Sequence, residues 1–391
     1  MGGSVTHADT QVRIAQTMTT VTLARVEVFV LAARVRQGPR SSLGAMPARN
    51  GCLVRVEDSA GAFGWGEVWC NFPPRGAQAR AHLIEDVIAP ALRETSFESW
   101  QAVRPTLETR FARMMIHTGE AGAFAQCFAG IDMSVADLCA RRAGRSMREF
   151  LGGGPESVAV YASTPSTDDR AAQCAELLAA GHRAIKLKVG YAREIDYAAV
   201  AACRRAVGPD FPLMVDANQA WDADTAIAQI GALAPLGVRF VEEPLRVDAP
   251  LADWRRVAGA VSPAIAAGEN IASEGAFAGF IASGGLEVVQ PDVAKWGGVS
   301  GGLAVGRRAA RAGVQCWPHF MGTALGLAAS FHLLAALGGP GRVELDVNEN
   351  PLRTDLGPLV LVVRDGQVEV PPGAGYGFVP DAAALRAMQQ G

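Results

Sequence analysis

The runs "AIKLKVG", "LMVDANQAW", "FVEEPL", "AAGEN", "VVQPDVAKWGG" and "VQCWPHF" each carry an apolar stretch into ionisable side chains: Lys186 and Lys188, Asp216, Glu242, Glu269, Asp292 and His319. Three acids, one per run, suit a hard divalent cation such as Mg2+, which takes oxygen ligands and keeps several waters. Zinc, which favours thiolate and imidazole, does not match that set. Any one acid could equally cap a helix or pair with an arginine; three in register point to a metal. In "VEEP" the adjacent Glu243 is expected to face away, because neighbouring strand residues point to opposite sides. Lys186 and Lys188 stand two apart, so both leave one face, roughly 7 Å from each other. The alternate positions, Ile185, Leu187 and Val189, are apolar and suit burial under helices. A second ammonium in the same cavity lowers the pKa of both lysines, and an amine free near neutral pH is a competent general base. Asp292 beside His319 would orient the imidazole and raise its pKa, giving a group able to accept and donate a proton. Glu344, in "RVELD", is expected either to donate a hydrogen bond as an acid or to partner a lysine. Lys295, three residues after Asp292, is expected one layer further back.

These residues meet only if the runs are strands of one barrel. From "VAVYAS" onward eight strand candidates recur, "VAVYAS", "AIKLKV", "LMVDA", "RFVEEP", "AIAAGE", "LEVVQPD", "VQCWPH" and "RVELD", with helical stretches between them. Parallel β/α units of this kind close into an α/β barrel of the TIM type, whose strand ends share one mouth. The barrel is expected over 157–355. Ahead of it, "TLARVEVFVLAARV" alternates as a strand, "NGCLVRVEDSAGAFGWGEV" reads as a hairpin turning at "DSAG", and residues 75–149 show helical periodicity. Residues 21–150 therefore form an α+β domain, completed by the apolar, turn-rich segment 356–391. Residues 1–20 are expected to be a disordered tail. The Gly/Pro/Ser-rich stretch "RQGPRSSLGAMPARNG" reads as an exposed connector, with a mobile lid over a pocket as the alternative.

Across 391 residues, Lys+Arg number 36 against Asp+Glu 39, a net charge of −3. That balance offers no charge excess arguing for nucleic acid or an anionic membrane surface, so small molecules are the expected partners. Seven cysteines without a CxxC pair argue against a disulfide framework or a zinc site and fit a reducing cytoplasm. No apolar run long enough for a membrane span and no signal-peptide pattern is visible.

In combination these motifs resemble the enolase superfamily, in its mandelate racemase-like subgroup, over nearly the whole chain, including "GWGE" and "GIDMSVADL" in the first half. The resemblance implies a modified (β/α)7β barrel under an α+β capping domain, with Mg2+ held by Asp216, Glu242 and Glu269. It implies Lys188 as the base of a KxK pair, Lys186 at the substrate carboxylate, His319 and Asp292 as the opposing dyad, and Glu344 as an electrophilic acid. Ser163 and Asn218 occupy positions that often touch substrate. The implied chemistry is removal of a proton α to a carboxylate through an enediolate. If His319 returns a proton to the α-carbon the outcome is racemisation or epimerisation. If it protonates a departing β-hydroxyl, a sugar acid is dehydrated to a 2-keto-3-deoxy acid, which is the expected reaction. The stretch "ELDVNENPLR" also resembles members acting on aldarates or their lactones, so aldarolactone cycloisomerisation is the competitor. The muconate-lactonising subgroup has a lysine where this chain has Asp292, a departure from that pattern. A non-catalytic, metal-stabilised barrel would require the lysines and His319 to point away from the acids. The resemblance further implies a homo-oligomer of two to eight subunits.

Overall fold

The computed structural model describes residues 20–36, 38, 40–41, 44–93, 95–163 and 169–390. All but the last residue of the expected tail lies outside the described residues, as do positions 37, 39, 42 and 43 of the suggested lid.

The first domain is an antiparallel sheet of β1 (Val21–Arg34), β2 (Ala48–Asp58), β3 (Phe63–Val68) and the short β4 (Ser96–Phe97), in the order β3-β2-β1-β4. The "DSAG" turn between β2 and β3 is held by Asp58, whose Oδ1 accepts from the amides of Ala60 and Ala62 at 2.9 Å each, a local turn device of aspartate. The helix α2 (Ala121–Arg142) covers the sheet, and α1 (Val103–Thr118) packs against α2. By length and composition α2 could cross a membrane, but its apolar surface is buried inside the protein. It lies so close to β3 that a Cβ on Gly64 or Gly66 would fall 2.1 Å or 1.9 Å from the carbonyl oxygens of Ser134 and Gly130. The glycines of "GWGE" thus let backbone approach backbone.

The second domain follows the eight runs: β5 (Ser157–Ser163), β6 (Ile185–Lys188), β7 (Leu213–Asp216), β8 (Val238–Glu242), β9 (Ala264–Ala267), β10 (Val288–Val289), β11 (Gln315–Cys316) and β12 (Val343–Asp346). They pair in parallel in the order β11-β10-β9-β8-β7-β6-β5-β12. The amide of Glu344 donates to the carbonyl of Pro318 at 3.1 Å and joins the two ends of the curl. Seven helices alternate with the strands: α3 (Arg170–Ala179), α4 (Arg193–Val207), α5 (Ala223–Leu233), α6 (Leu251–Ala260), α7 (Glu274–Ser283), α8 (Gly298–Arg311) and α9 (Ala324–Leu337). The chain then adds β13 (Gln367–Glu369) antiparallel to β5 and runs back to the first domain. There Tyr376 donates its amide to Asp137 Oδ1 at 2.9 Å, and the amide of Gln390, just beyond α10 (Ala382–Met388), donates to the carbonyl of Val30 at 2.8 Å.

Inside the barrel, Tyr161, Ala184, Met214, Phe240, Ala266, Val288 and Trp317 form an apolar plug. Ile185, Leu187, Val215 and Val241, on the alternate positions, are buried against the helices. Because inward positions recur every two residues, the next inward positions above the plug are Ser163, Lys186, Asp216, Glu242, Gln290 and His319. A polar layer therefore stands directly on an apolar floor.

Candidate active site

Register brings the acids and lysines together before any side chain is considered. Lys188 pairs with Asp216 across β6 and β7, and Asp216 with Glu242 across β7 and β8; Glu269 lies two residues beyond β9. All are buried except Glu269, which is nearly so. Lys186 Nζ reaches Glu242 Oε2 at 2.6 Å, Glu344 Oε1 at 3.0 Å and Asp216 Oδ2 at 3.7 Å. Lys188 Nζ donates to Asp216 Oδ2. From the other side, His319 joins its Nδ1 to Asp292 Oδ2 at 2.7 Å and turns Nε2 to Glu269 Oε2 at 2.9 Å and Glu344 Oε2 at 3.6 Å. Ser163 donates its hydroxyl to Glu344 Oε1, and Asn218 donates its amide N–H and side chain to Asp216 at 2.8 and 3.3 Å. An unbroken chain of contacts runs from Lys188 through Asp216, Lys186 and Glu344 to His319.

The charge balance departs from the expectation of mutually depressed lysines. Burial does pull both down, but Glu242 and Glu344 around Lys186, and Asp216 beside Lys188, more than offset it, and both pKa values are raised. Acids outnumber amines in the cavity, so the attraction exceeds the repulsion between the two ammonium groups. The same attraction holds Glu344 ionised: burial would raise its carboxyl, yet Lys186 and His319 bring it down to about 2. In this arrangement Glu344 pairs with Lys186 and accepts from the hydroxyls of Ser163 and Tyr161. His319 follows the expected direction; burial opposes protonation, but Glu269, Glu344 and Asp292 carry its pKa well above the ordinary imidazole value. Burial and Asp216 push Glu242 up to about 7.

Strand alternation misplaces one acid. Glu243 follows the last residue of β8 with φ at +40°, so alternation no longer governs it. Its carboxylate is buried and accepts from Asn270 Nδ2 at 2.9 Å on both oxygens, within the same cluster as Glu269. Lys295 lies behind Glu269, bonded to Asn270 Oδ1 at 2.7 Å, with its Nζ 4.6 Å from the ring centre of Trp69. Three residues not singled out from the sequence also line the site. Gln290 donates to Glu242 Oε2 at 2.6 Å, Tyr161 donates to Glu344 Oε2 at 3.1 Å, and Asn270 links Glu243, Glu269 and Lys295. Gln290 and Tyr161 stand two residues before Asp292 and Ser163, so the inward parity of their strands is the signal that finds them.

Among the described residues no group of three or more Asp, Glu, His or Cys side chains is already spaced around a common metal position; Lys188, Lys186 and His319 occupy oxygens of Asp216, Glu242 and Glu269. The donor set nevertheless fits a hard cation: it is all oxygen, and Glu242 Oε1 is buried without a hydrogen-bond partner. A buried carboxylate oxygen left unpaired is costly unless a positive charge faces it.

Comparison with known proteins agrees with this geometry. Residues 25–152 match the mandelate racemase / muconate lactonizing enzyme N-terminal domain, and residues 169–384 match the enolase C-terminal domain-like family. The chain is 30% identical to a D-galactarolactone cycloisomerase of Agrobacterium fabrum, covering 85% of this chain and 89% of that protein. It is 32% identical to an L-talarate/galactarate dehydratase of Salmonella typhimurium over 68% of this chain and 66% of that one. A solved mandelate racemase/muconate lactonizing enzyme from Bordetella bronchiseptica superposes with a TM-score of 0.89 at 43% identity, covering 95% of this chain and all of the other. A racemase from Streptomyces coelicolor with bound magnesium superposes with a TM-score of 0.84 at 27% identity, over 94% and 100% of the two chains. The polar layer over an apolar floor, the cap that closes it and these matches together place the chain in the mandelate racemase/muconate lactonizing enzyme family of the enolase superfamily.

Proposed function

We propose that this protein removes the proton α to the carboxylate of a sugar acid and expels an oxygen from the neighbouring carbon, dehydrating the acid to a 2-keto-3-deoxy acid. The observation that carries this reading is the convergence of an amine and an imidazole on one acid cluster, Lys188 through Asp216 and His319 through Glu269. Asp216, Glu242 and Glu269 would hold Mg2+, which when bound supplies Lewis-acid stabilisation of charge on the substrate carboxylate and offsets the acids that keep Lys188 protonated. The magnesium-bound relative supports that choice of ion. Lys188 Nζ takes the α-proton as the C–H bond breaks. Lys186, fixed between Glu242 and Glu344, offers its ammonium to a substrate carboxylate oxygen. His319, held through Nδ1 by Asp292 and kept cationic by the surrounding acids, gives the Nε2 proton to the β-oxygen as its bond to carbon breaks. Water leaves, and the remaining enol becomes the 2-keto acid by proton transfer.

The cycloisomerase relative favours a second reading, in which the leaving β-oxygen belongs to a lactone ring and the product stays one molecule. Lys188 and His319 keep their roles there. A homo-oligomer acting on small carboxylates in the cytoplasm belongs to the same proposal and rests on family membership. The test is incubation of purified protein with Mg2+ in D2O against aldonic acids, aldaric acids and their lactones, following 2-keto-acid formation and deuterium at the α-carbon. Both should appear for at least one acid and disappear with chelator. Turnover confined to lactones would select the second reading, and the absence of both product and α-exchange with every panel member would reject both.

A further inference from the structure

The "GWGE" motif ends on a carboxylate that crosses from cap to barrel. Glu67, next to last in β3, is buried, and its carboxylate sits at the N-terminus of α9. Its Oε1 accepts from the amide of Thr323 at 2.8 Å, and its Oε2 from the Thr323 hydroxyl at 2.6 Å and the amide of Gly326 at 2.9 Å. Room is made for it by the absence of two side chains: a Cβ on Gly322 would lie 2.2 Å from Glu67 Oε1, and one on Gly326 2.8 Å from Oε2. Val68 and Cys70 are buried in the core, while Trp69 lies against the ammonium of Lys295, 4.6 Å from its ring centre. Asn71 Nδ2 donates to the carbonyl of Met321 at 3.1 Å. The Trp69 amide donates to the carbonyl of Ala294 at 3.0 Å, while the Ala294 amide donates to Asp292 Oδ1 at 2.8 Å. A second cap carboxylate, Asp132 of "GIDMSVADL", repeats the device at α8: Ser300 donates its amide to Oδ1 at 2.9 Å and its hydroxyl to Oδ2, and Gly298 leaves the space.

Each clamped helix, α8 and α9, begins where the loop carrying Asp292 or His319 ends. We propose that Glu67, with Asn71, is a positioning residue for His319, and that the cap sets the geometry of the histidine side of the site without setting that of the lysine side. Lys186 and Lys188 lie within a strand paired on both sides and meet no residue of this clamp. The consequence for turnover rests on the reading of His319 as the group that completes elimination; the positioning itself does not.

Imidazole 15N shifts of histidine-labelled full-length protein in Mg2+ buffer test it without a substrate, the His319 signals being assigned by their loss in His319→Asn. Glu67→Gln should move the His319 shifts toward those of a solvent-exposed imidazole, and Asn71→Ala should do so to a smaller extent. On a panel acid that turns over, Glu67→Gln should lower product formation about 10- to 100-fold, as expected for a misplaced proton donor, with α-deuterium exchange kept within about twofold. Unchanged His319 shifts in folded Glu67→Gln would overturn the proposal, as would equal loss of exchange and product. Should Glu67→Gln not fold, Thr323→Val removes one donor and leaves the carboxylate, and unchanged shifts in both Thr323→Val and Asn71→Ala would overturn it. Full turnover in His319→Asn would instead reject the catalytic reading and leave the positioning test standing.

Discussion

Lys186 and Lys188 belong to β6, where Lys186 is paired with both β5 and β7 and Lys188 with β7, whereas Asp292 and His319 stand three residues past the two-residue strands β10 and β11. The lysine side takes its geometry from the ladder, and its side chains need only rise from a floor already packed. The histidine side is carried by loops, whose carbonyls and following helix ends are tied down by a different domain. Loop-borne groups held by a few contacts open more readily than ladder-borne ones, so the two halves of one site should respond differently to the same kind of injury.

Lys188→Ala should be the most severe break. Without the base, α-deuterium exchange and product formation should both fall, by about 10²- to 10⁴-fold, as measured by NMR in D2O. Exchange within tenfold of the unaltered protein would remove Lys188 from the role. His319→Asn should separate the two signals, with product formation lost on a similar scale and exchange retained. Parallel loss of both would mean that the two sides are not independent.

The seam where α9 meets the cap offers a pH test of the same contrast. His332, on α9, accepts the Arg148 amide at Nδ1, 3.0 Å away, and its buried Nε2 has no partner. Burial lowers its pKa to about 4. Because the folded value lies below the unfolded one of about 6.5, this contribution is complete above pH 6.5 and is lost as pH falls toward 4, approaching about 3 kcal/mol. His332→Asn, which keeps an acceptor for Arg148, should flatten the dependence of the unfolding midpoint between pH 6.5 and 4. An unchanged slope would show that the seam does not titrate there.

A glycine pair gives the smallest effects and the sharpest contrast. Gly322→Ala would press on Glu67 and on the Phe320 ring, 2.2 and 2.7 Å away, and should cost about 1–3 kcal/mol in thermal or denaturant unfolding. Gly231→Ala, within α5 on the lysine side, meets nothing within 4 Å and should stabilise by about 0.5–1 kcal/mol. Equal responses would erase the distinction between braced and unbraced sides.

Much of the site is readable from period two alone. Once β6, β7 and β8 are recognised, Lys186, Lys188, Asp216 and Glu242 must share the inward face, since their odd neighbours are the apolar residues that helices cover. Tyr161 and Gln290 obey the same parity and are legible in hindsight. Glu243 is not, because alternation ends with the strand and a left-handed backbone redirects the side chain. Glu67 is not either: the motif "GWGE" marks a turn and a close approach to α2, but nothing local says that its carboxylate seats 256 residues away, beside Thr323.

By itself the sequence determined which side chains share the barrel lumen, because side-chain direction in a strand follows from backbone geometry and needs no partner. Only the tertiary structure decided their ionisation and their bracing. The lysines stay charged against their mutual repulsion because carboxylates from three other strands and the loop after a fourth surround them, a Coulomb sum over residues remote in sequence. Likewise His319 finds its place through a cap whose contacts arise when two independently patterned domains close on one another.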